Sequence, residues 1–319
     1  MKACINRLAS IVCVAAALAL NAAAADAQPF PTKGIQFTLG FGPGSGIDSN
    51  ARLFAPYLEK QLGVPVTIIN QPGGGAVPWA NGLARAEPDG YTIGMVGFPL
   101  LQNNSVLSKV NYDPLKDFTY LGVLTVDPAV LATGANSPIK TLGDLIEDAK
   151  KEGSRASIGA TGKGSVDYLV ALSIERASGA KFGIVNFDST NEGIVATMGG
   201  SLSAMPMTVS AVLPYVQSGQ LRVLAAGDTE AIPELSDAKT FQDYGVKLLA
   251  PGSIRAFLAP ANLPPDVKGK LVNSIKAAMD DPEFKQKAAA SGLKLVYMSP
   301  EEEQATSESL VKAAQENLK

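Results

Sequence analysis

Apolar and polar positions alternate between Ile35 and Phe41: Ile35, Phe37, Leu39 and Phe41 share one side, Gln36, Thr38 and Gly40 the other. This two-residue period predicts a pleated strand with one buried face. Gly42, Pro43, Gly44, Ser45 and Gly46 cannot extend it, and beyond them Leu53, Phe54, Tyr57, Leu58 and Leu62 recur at helical spacing. Asp48 and Ser49 stand where a helix N-cap belongs. The stretch reads as strand, glycine loop and helix, with the helix's unpaired N–H groups aimed back at the loop. Such a loop is suited to hold an anion.

The same alternation continues along the chain. Residues 64–69 form a second apolar run, broken by 70–75, and a helix-like segment follows with Ala76, Ala80, Leu83 and Ala84. Residues 91–96 predict a third strand, ending in Gly97, Phe98 and Pro99. Strands alternating with helices through short glycine-bearing loops predict an α/β fold with a parallel sheet, whose ligand crevice lies beyond the carboxyl ends of the strands. The three glycine-rich breaks are expected at that edge. Residues 120–132 are apolar, long for one strand and interrupted by Asp127 and Pro128, which predicts a crossover into a second domain.

Beyond it, Thr141 is placed to cap a helix over 142–151, and 156–160 is a short strand. Thr161, Gly162, Lys163, Gly164 and Ser165 then precede a helix over about 166–178, so the opening pattern recurs. A strand over 182–187, a polar loop at 188–192 capped by Thr190 or Asn191, helices over 194–198 and 212–217, and a strand over 221–226 complete this part. Residues 248–259 predict a return crossover. The remainder is mostly helical, with starts at Pro264, Asp281 and Ser299. The expected organisation is one discontinuous domain over 28–127 plus 252–319 and a second over 128–251, packed together rather than joined by a tether.

Composition narrows the function. Lys2 and Arg7 precede an apolar run over 8–20 and an Ala25-Asp26-Ala27 cleavage pattern, which predicts a secretory signal peptide over 1–27 and a soluble, exported mature chain. Both cysteines, Cys4 and Cys13, fall inside that segment, and the chain has no histidine. Ser-His-Asp and Cys-His catalysis, thiolate chemistry and the usual zinc sites are therefore not expected. No catalytic residue, metal or cofactor is assigned. With 27 basic and 30 acidic residues the charge is near balance, and no basic patch points to nucleic acid.

The segments FPTKGIQFTLGFGPGSGIDSNARLFAPYLEKQLGVPVTIINQPGGGA, AEPDGYTIGM, YDPLKDFTYLG and GSLSAMPMTVSAVLPYVQSGQLRVLAA occur in that order over nearly the whole mature chain. Together they resemble the extracytoplasmic solute receptors of the tripartite tricarboxylate transporter system, the Bug family. The resemblance implies a two-domain periplasmic binding protein of the Venus-flytrap kind, with two crossover segments, that acts as a monomer. It would capture a small organic anion, a carboxylate, between the domains and deliver it to integral membrane transporter subunits. Presentation of the ligand to a sensor protein and an exported enzyme acting on small acids are the alternatives.

The resemblance places ligand contacts on Phe41, Gly42, Pro43, Gly44, Ser45, Gly46 and Asp48 in the first loop and on Thr161, Gly162, Lys163, Gly164 and Ser165 in the second. The chain departs from the family where a histidine is common, at Tyr168, and in its Phe187-Asp188-Ser189 turn. It departs again at Ser253-Ile254, where a serine-tryptophan pair is usual and Arg255 follows. Asp48 fits a cap that holds its loop better than a direct ligand, because two carboxylates repel unless a proton or water intervenes. Lys163 is either a solvated loop charge or a point charge for an anion, and Ser165 both caps its helix and faces the ligand. Arg255, alone in an apolar segment, is either in an ion pair with Asp188 or Glu192 or a fork-shaped clamp for a second carboxylate. Phe98 is expected in the pocket wall, and Phe187, Asp188 and Ser189 complete the expected contacts.

Overall fold

The computed structural model of the chain describes residues 29–227, 235 and 238–318. The signal peptide expected over 1–27 lies outside them. The first alternating stretch is strand β1 (Ile35–Leu39), and the helix after its glycine loop is α1 (Gly46–Leu62). Strand β2 (Val66–Asn70), a single 3₁₀ turn (Gly74–Ala76), helix α2 (Val77–Ala84) and strand β3 (Thr92–Phe98) follow. Strand β1 lies between β2 and β3 and pairs with both in parallel, so the three glycine-rich breaks do share one edge of the sheet.

Helix α3 (Leu100–Leu107) occupies a stretch that the periodicity leaves unassigned, because its exposed face is short and its inner face carries Gln102, Asn103 and Asn104 among leucines. Both expected crossovers are strands. Strand β4 (Phe118–Gly134) runs unbroken through Asp127 and Pro128, and β9 (Gly252–Pro260) lies antiparallel beside it from Phe118↔Pro260 to Pro128↔Gly252. Pro128 stands where β4 changes partners, so its missing N–H falls at a handover rather than inside one ladder. Strand β9 also pairs antiparallel with β3. The sheet is therefore mixed rather than wholly parallel.

From Ala129 onward β4 pairs with strands β7 (Met205–Thr208) and β8 (Leu221–Ala226) instead. Around this second part lie helix α4 (Leu142–Ala149), a parallel pair β5 (Ser157–Ala160) and β6 (Gly183–Asn186), and helices α5 (Val166–Ser178), α6 (Thr190–Met198) and α7 (Val209–Gln217). The end of the chain returns to the first part as α8 (Pro265–Asp280), α9 (Pro282–Ala290), β10 (Leu295–Met298), which pairs with β4, and α10 (Pro300–Asn317). Among the described residues no helix is long and apolar enough to cross a membrane.

The apolar residues that defined the sequence pattern form separate cores on either side of the handover. Phe37, Phe54, Phe257 and Phe284 pack ring against ring in the first part. Ile158, Leu169, Val170, Ile174 and Phe241 fill the second. Full burial of side chains of this size is worth about 1.5–3 kcal/mol each. Strand β4 runs through both parts, whereas β9 pairs only within the first.

Candidate functional site

The first loop is fixed from within. Ser45, not Asp48 or Ser49, is the N-cap of α1, and its Oγ accepts the Asp48 N–H at 3.3 Å. Asp48 braces the loop instead. Its Oδ2 accepts from the Gly44 N–H at 3.0 Å and from Arg52 Nε at 2.9 Å, and its Oδ1 accepts from Asn70 Nδ2 at 2.9 Å. Asn70 Nδ2 also donates to the Phe41 carbonyl, tying the loop to the end of β2. Burial works against the Asp48 charge, but the bonds from Arg52, Gly44 and Asn70 outweigh it and hold the carboxyl below its ordinary 3.8.

The second loop repeats the plan with one difference. Ser165 caps α5, its Oγ accepting the Tyr168 N–H at 3.2 Å. The acidic residue here is Asp167, whose Oδ2 accepts from the Thr161 N–H at 3.1 Å and from Thr161 Oγ1 at 2.6 Å. Burial pushes this carboxyl above its ordinary value, with Thr161 and Arg255 opposing. The loop touches the first half of the molecule where Asn103 Nδ2 donates to the Gly164 carbonyl at 2.8 Å.

Between the loops lies a cavity of about 50 Å³, with Phe41, Ser45, Ser165, Asp167, Thr208 and Arg255 in its wall. Arg255 in this wall belongs to an ion pair that joins strands β4 and β9. Arg255 on β9 and Asp127 on β4 approach to 3.3 Å, both almost wholly buried. The remaining Arg255 bonds run from Nε to Asn50 Oδ1 at 3.2 Å, from one terminal nitrogen to Ser253 Oγ at 2.9 Å and from the other to Thr208 Oγ1 at 3.3 Å. Asp127 in turn accepts from the Ser210 N–H and hydroxyl. Two glycines make room for the guanidinium. A Cβ at Gly46 would stand 3.1 Å from it, and one at Gly97 would collide with Ser253 Oγ.

The structure thus gives Arg255 a structural ion pair and a place in the cavity wall at once. Its partner is Asp127 rather than Asp188 or Glu192, because antiparallel pairing sets the two crossovers side by side. Phe41, Ser45, Gly46, Thr161, Ser165 and Arg255 meet at the cavity as expected from the sequence. Others do not. Phe98 is fully buried in the core with its ring against Tyr120, and Gly97 and Leu100 on either side line the cavity in its place.

Pro43 and Gly44 are at the surface, Gly42 faces Ser189 and Pro72, and Gly164 is packed against Asn103 and Asn104. Gly162, Lys163, Phe187 and Asp188 border a separate outer opening of about 390 Å³, which shares Thr161 with the inner cavity. Ser189 is the cap of α6, where Thr190 or Asn191 was expected. Sequence reasoning missed Asn50, Asp127, Asp167, Thr208 and Ser253 as site residues. A signal existed for Asp127, since one lone acid and one lone arginine interrupt the two apolar crossovers.

A family model described as "Tripartite tricarboxylate transporter family receptor" matches residues 50–316. Among curated relatives, the "UPF0065 protein in gbd 5'region" of Cupriavidus necator is 29% identical over 296 residues, covering 92% of this chain and 90% of its own. A solved structure described as a periplasmic transporter superposes with a TM-score of 0.84 at 28% identity, covering 91% of this chain and 97% of that one. MatC from Rhodopseudomonas palustris, solved with bound malate, has the same fold, with a TM-score of 0.83 at 23% identity over 91% of this chain and all of its own.

Proposed function

The chain belongs to the tripartite tricarboxylate transporter receptor family, and from that premise we propose that it captures a small carboxylate between its two loops. It then delivers the ligand, as a monomer in the periplasm, to the integral membrane subunits of such a transporter. The observation that carries this reading is the convergence of two serine-capped helix N-termini, at Ser45 and Ser165, on one cavity. Backbone N–H groups at a helix start favour an anion through both hydrogen bonding and the helix dipole. The relative solved with malate holds a ligand of this class.

The cavity of about 50 Å³ has room for roughly three to five water-sized groups, at about one per 10–15 Å³, so a carboxylate of several carbons enters by parting the loops. The domains are taken as 28–127 with 252–319, and 128–251. The hinge then falls at Asp127–Pro128 and Gly252, where β4 changes partners. A thermal-shift screen of mono-, di- and tricarboxylates against amides and sugars tests the function. A carboxylate at 100 times its dissociation constant is expected to stabilise by about 2.7 kcal/mol. Stabilisation by neutral compounds alone would overturn the reading.

A further inference from the structure

The cavity between the loops is not built for anions alone. Its wall holds the Asp167 carboxylate and a guanidinium already paired with a second carboxylate, Asp127. Asp127 lies behind the guanidinium and outside the lining, so Asp167 is the acid that borders the space. Burial already disfavours the Asp167 charge, and a bare carboxylate entering beside it disfavours that charge further, whereas a cation favours it.

The hydrogen-bond inventory points the same way. A carboxylate has about four acceptor directions. Both Thr161 donors go to Oδ2 of Asp167, and the other donor beside it is its own backbone N–H. Among the described residues no side chain donates to Oδ1, although the residue is only 8% exposed and borders the cavity. Opposite it, Arg255 has five N–H groups and four protein acceptors, which leaves one N–H for an occupant. The wall therefore offers donors at the helix starts and at Arg255, and an acceptor at Asp167.

We propose that Asp167 is a specificity-determining ligand contact that selects a small carboxylate bearing an ammonium group, a zwitterion of the amino-acid type, over the same carbon skeleton without one. The ligand carboxylate lies on the N–H groups of the helix starts and the free Arg255 N–H. Its ammonium donates to Asp167 Oδ1 and favours the charged form of that acid. This inference rests on the carboxylate reading above and adds the second group.

The experiment is calorimetric titration of two matched pairs, alanine against propionate and aspartate against succinate, into the wild-type protein and into Asp167→Asn. The wild type is expected to bind the ammonium-bearing member of at least one pair about tenfold tighter or more, the range of one charge-assisted bond. In Asp167→Asn that preference is expected to shrink to within a few-fold, through weaker binding of the amino acid, while the bare carboxylate binds as well or better.

Equal or tighter binding of propionate and succinate by the wild type overturns the proposal and leaves carboxylate capture intact. So does an undiminished preference in the variant. If no member of either pair binds the wild type, the proposal falls together with the reading it rests on. Should Asp167→Asn not fold, Asp167→Ser, which keeps a short acceptor for the Thr161 N–H, carries the same comparison.

Discussion

The two loops of the cavity share a plan, a strand, a glycine turn, a serine cap and an acid in the first helical turn, yet their acids do opposite things. In the first loop Asp48 stands three residues after its cap, and in the second Asp167 stands two after. One residue is about 100° around a helix. That rotation turns Asp48 away from the cavity into a cage of Gly44, Arg52 and Asn70, and turns Asp167 toward it. In the first loop the charge of the acid is thus consumed in bracing. In the second, the acid braces Thr161 and borders the cavity. Local motif similarity did not fix role; the count from the cap did.

Removing what the loops share should cost most. Arg255→Ala leaves Asp127 buried beside Ser210 without its cation, and chemical denaturation should register a loss of about 3–5 kcal/mol. A small loss would mean that the pair contributes to binding alone.

Next comes the contrast between the acids. Asp48→Ala strands the Gly44 N–H and frees the loop, a loss of about 2–3 kcal/mol in the same measurement. The pH dependence should separate the acids by sign. The Asp48 pKa is lowered on folding, so its contribution is present above 3.8 and is lost as pH falls through the folded value. The Asp167 pKa is raised, so its contribution is present below 3.8 and is lost as pH rises through the folded value. Melting curves across pH should show the deficit of Asp48→Asn closing toward acid. Asp167→Asn should gain on the wild type as pH rises, and parallel profiles for the two variants would erase the distinction.

The caps should matter least and most equally. Ser45→Ala and Ser165→Ala are each expected to cost about 1 kcal/mol of stability by denaturant titration. A much larger cost at Ser45 would make the cap, rather than Asp48, the brace of the first loop.

Period and punctuation in the sequence were enough for the parallel strands β1 to β3, the long apolar segments that form β4 and β9, and both glycine loops, because each is a local pattern of apolar spacing and glycine. The Asp127–Arg255 pair was not legible, since it depends on register between strands more than a hundred residues apart. Phe98 misled for a related reason. A strand alternates its faces, so the ring of the residue after Gly97 points into the core while the glycine opens the cavity. Thr208 and Asn50 are ordinary polar residues until packing brings them to Arg255. Lys163, Phe187 and Asp188 border the outer opening rather than the inner cavity.

The central claim is that both loops close on one carboxylate. It is tested most directly by titrating a stabilising carboxylate into ¹⁵N-labelled protein and following the backbone amides of Gly46 and Val166, the first helical residues after the two caps. The account predicts that both signals move along a single isotherm with one ligand per chain. Movement of one loop alone, or two separate isotherms, would contradict it.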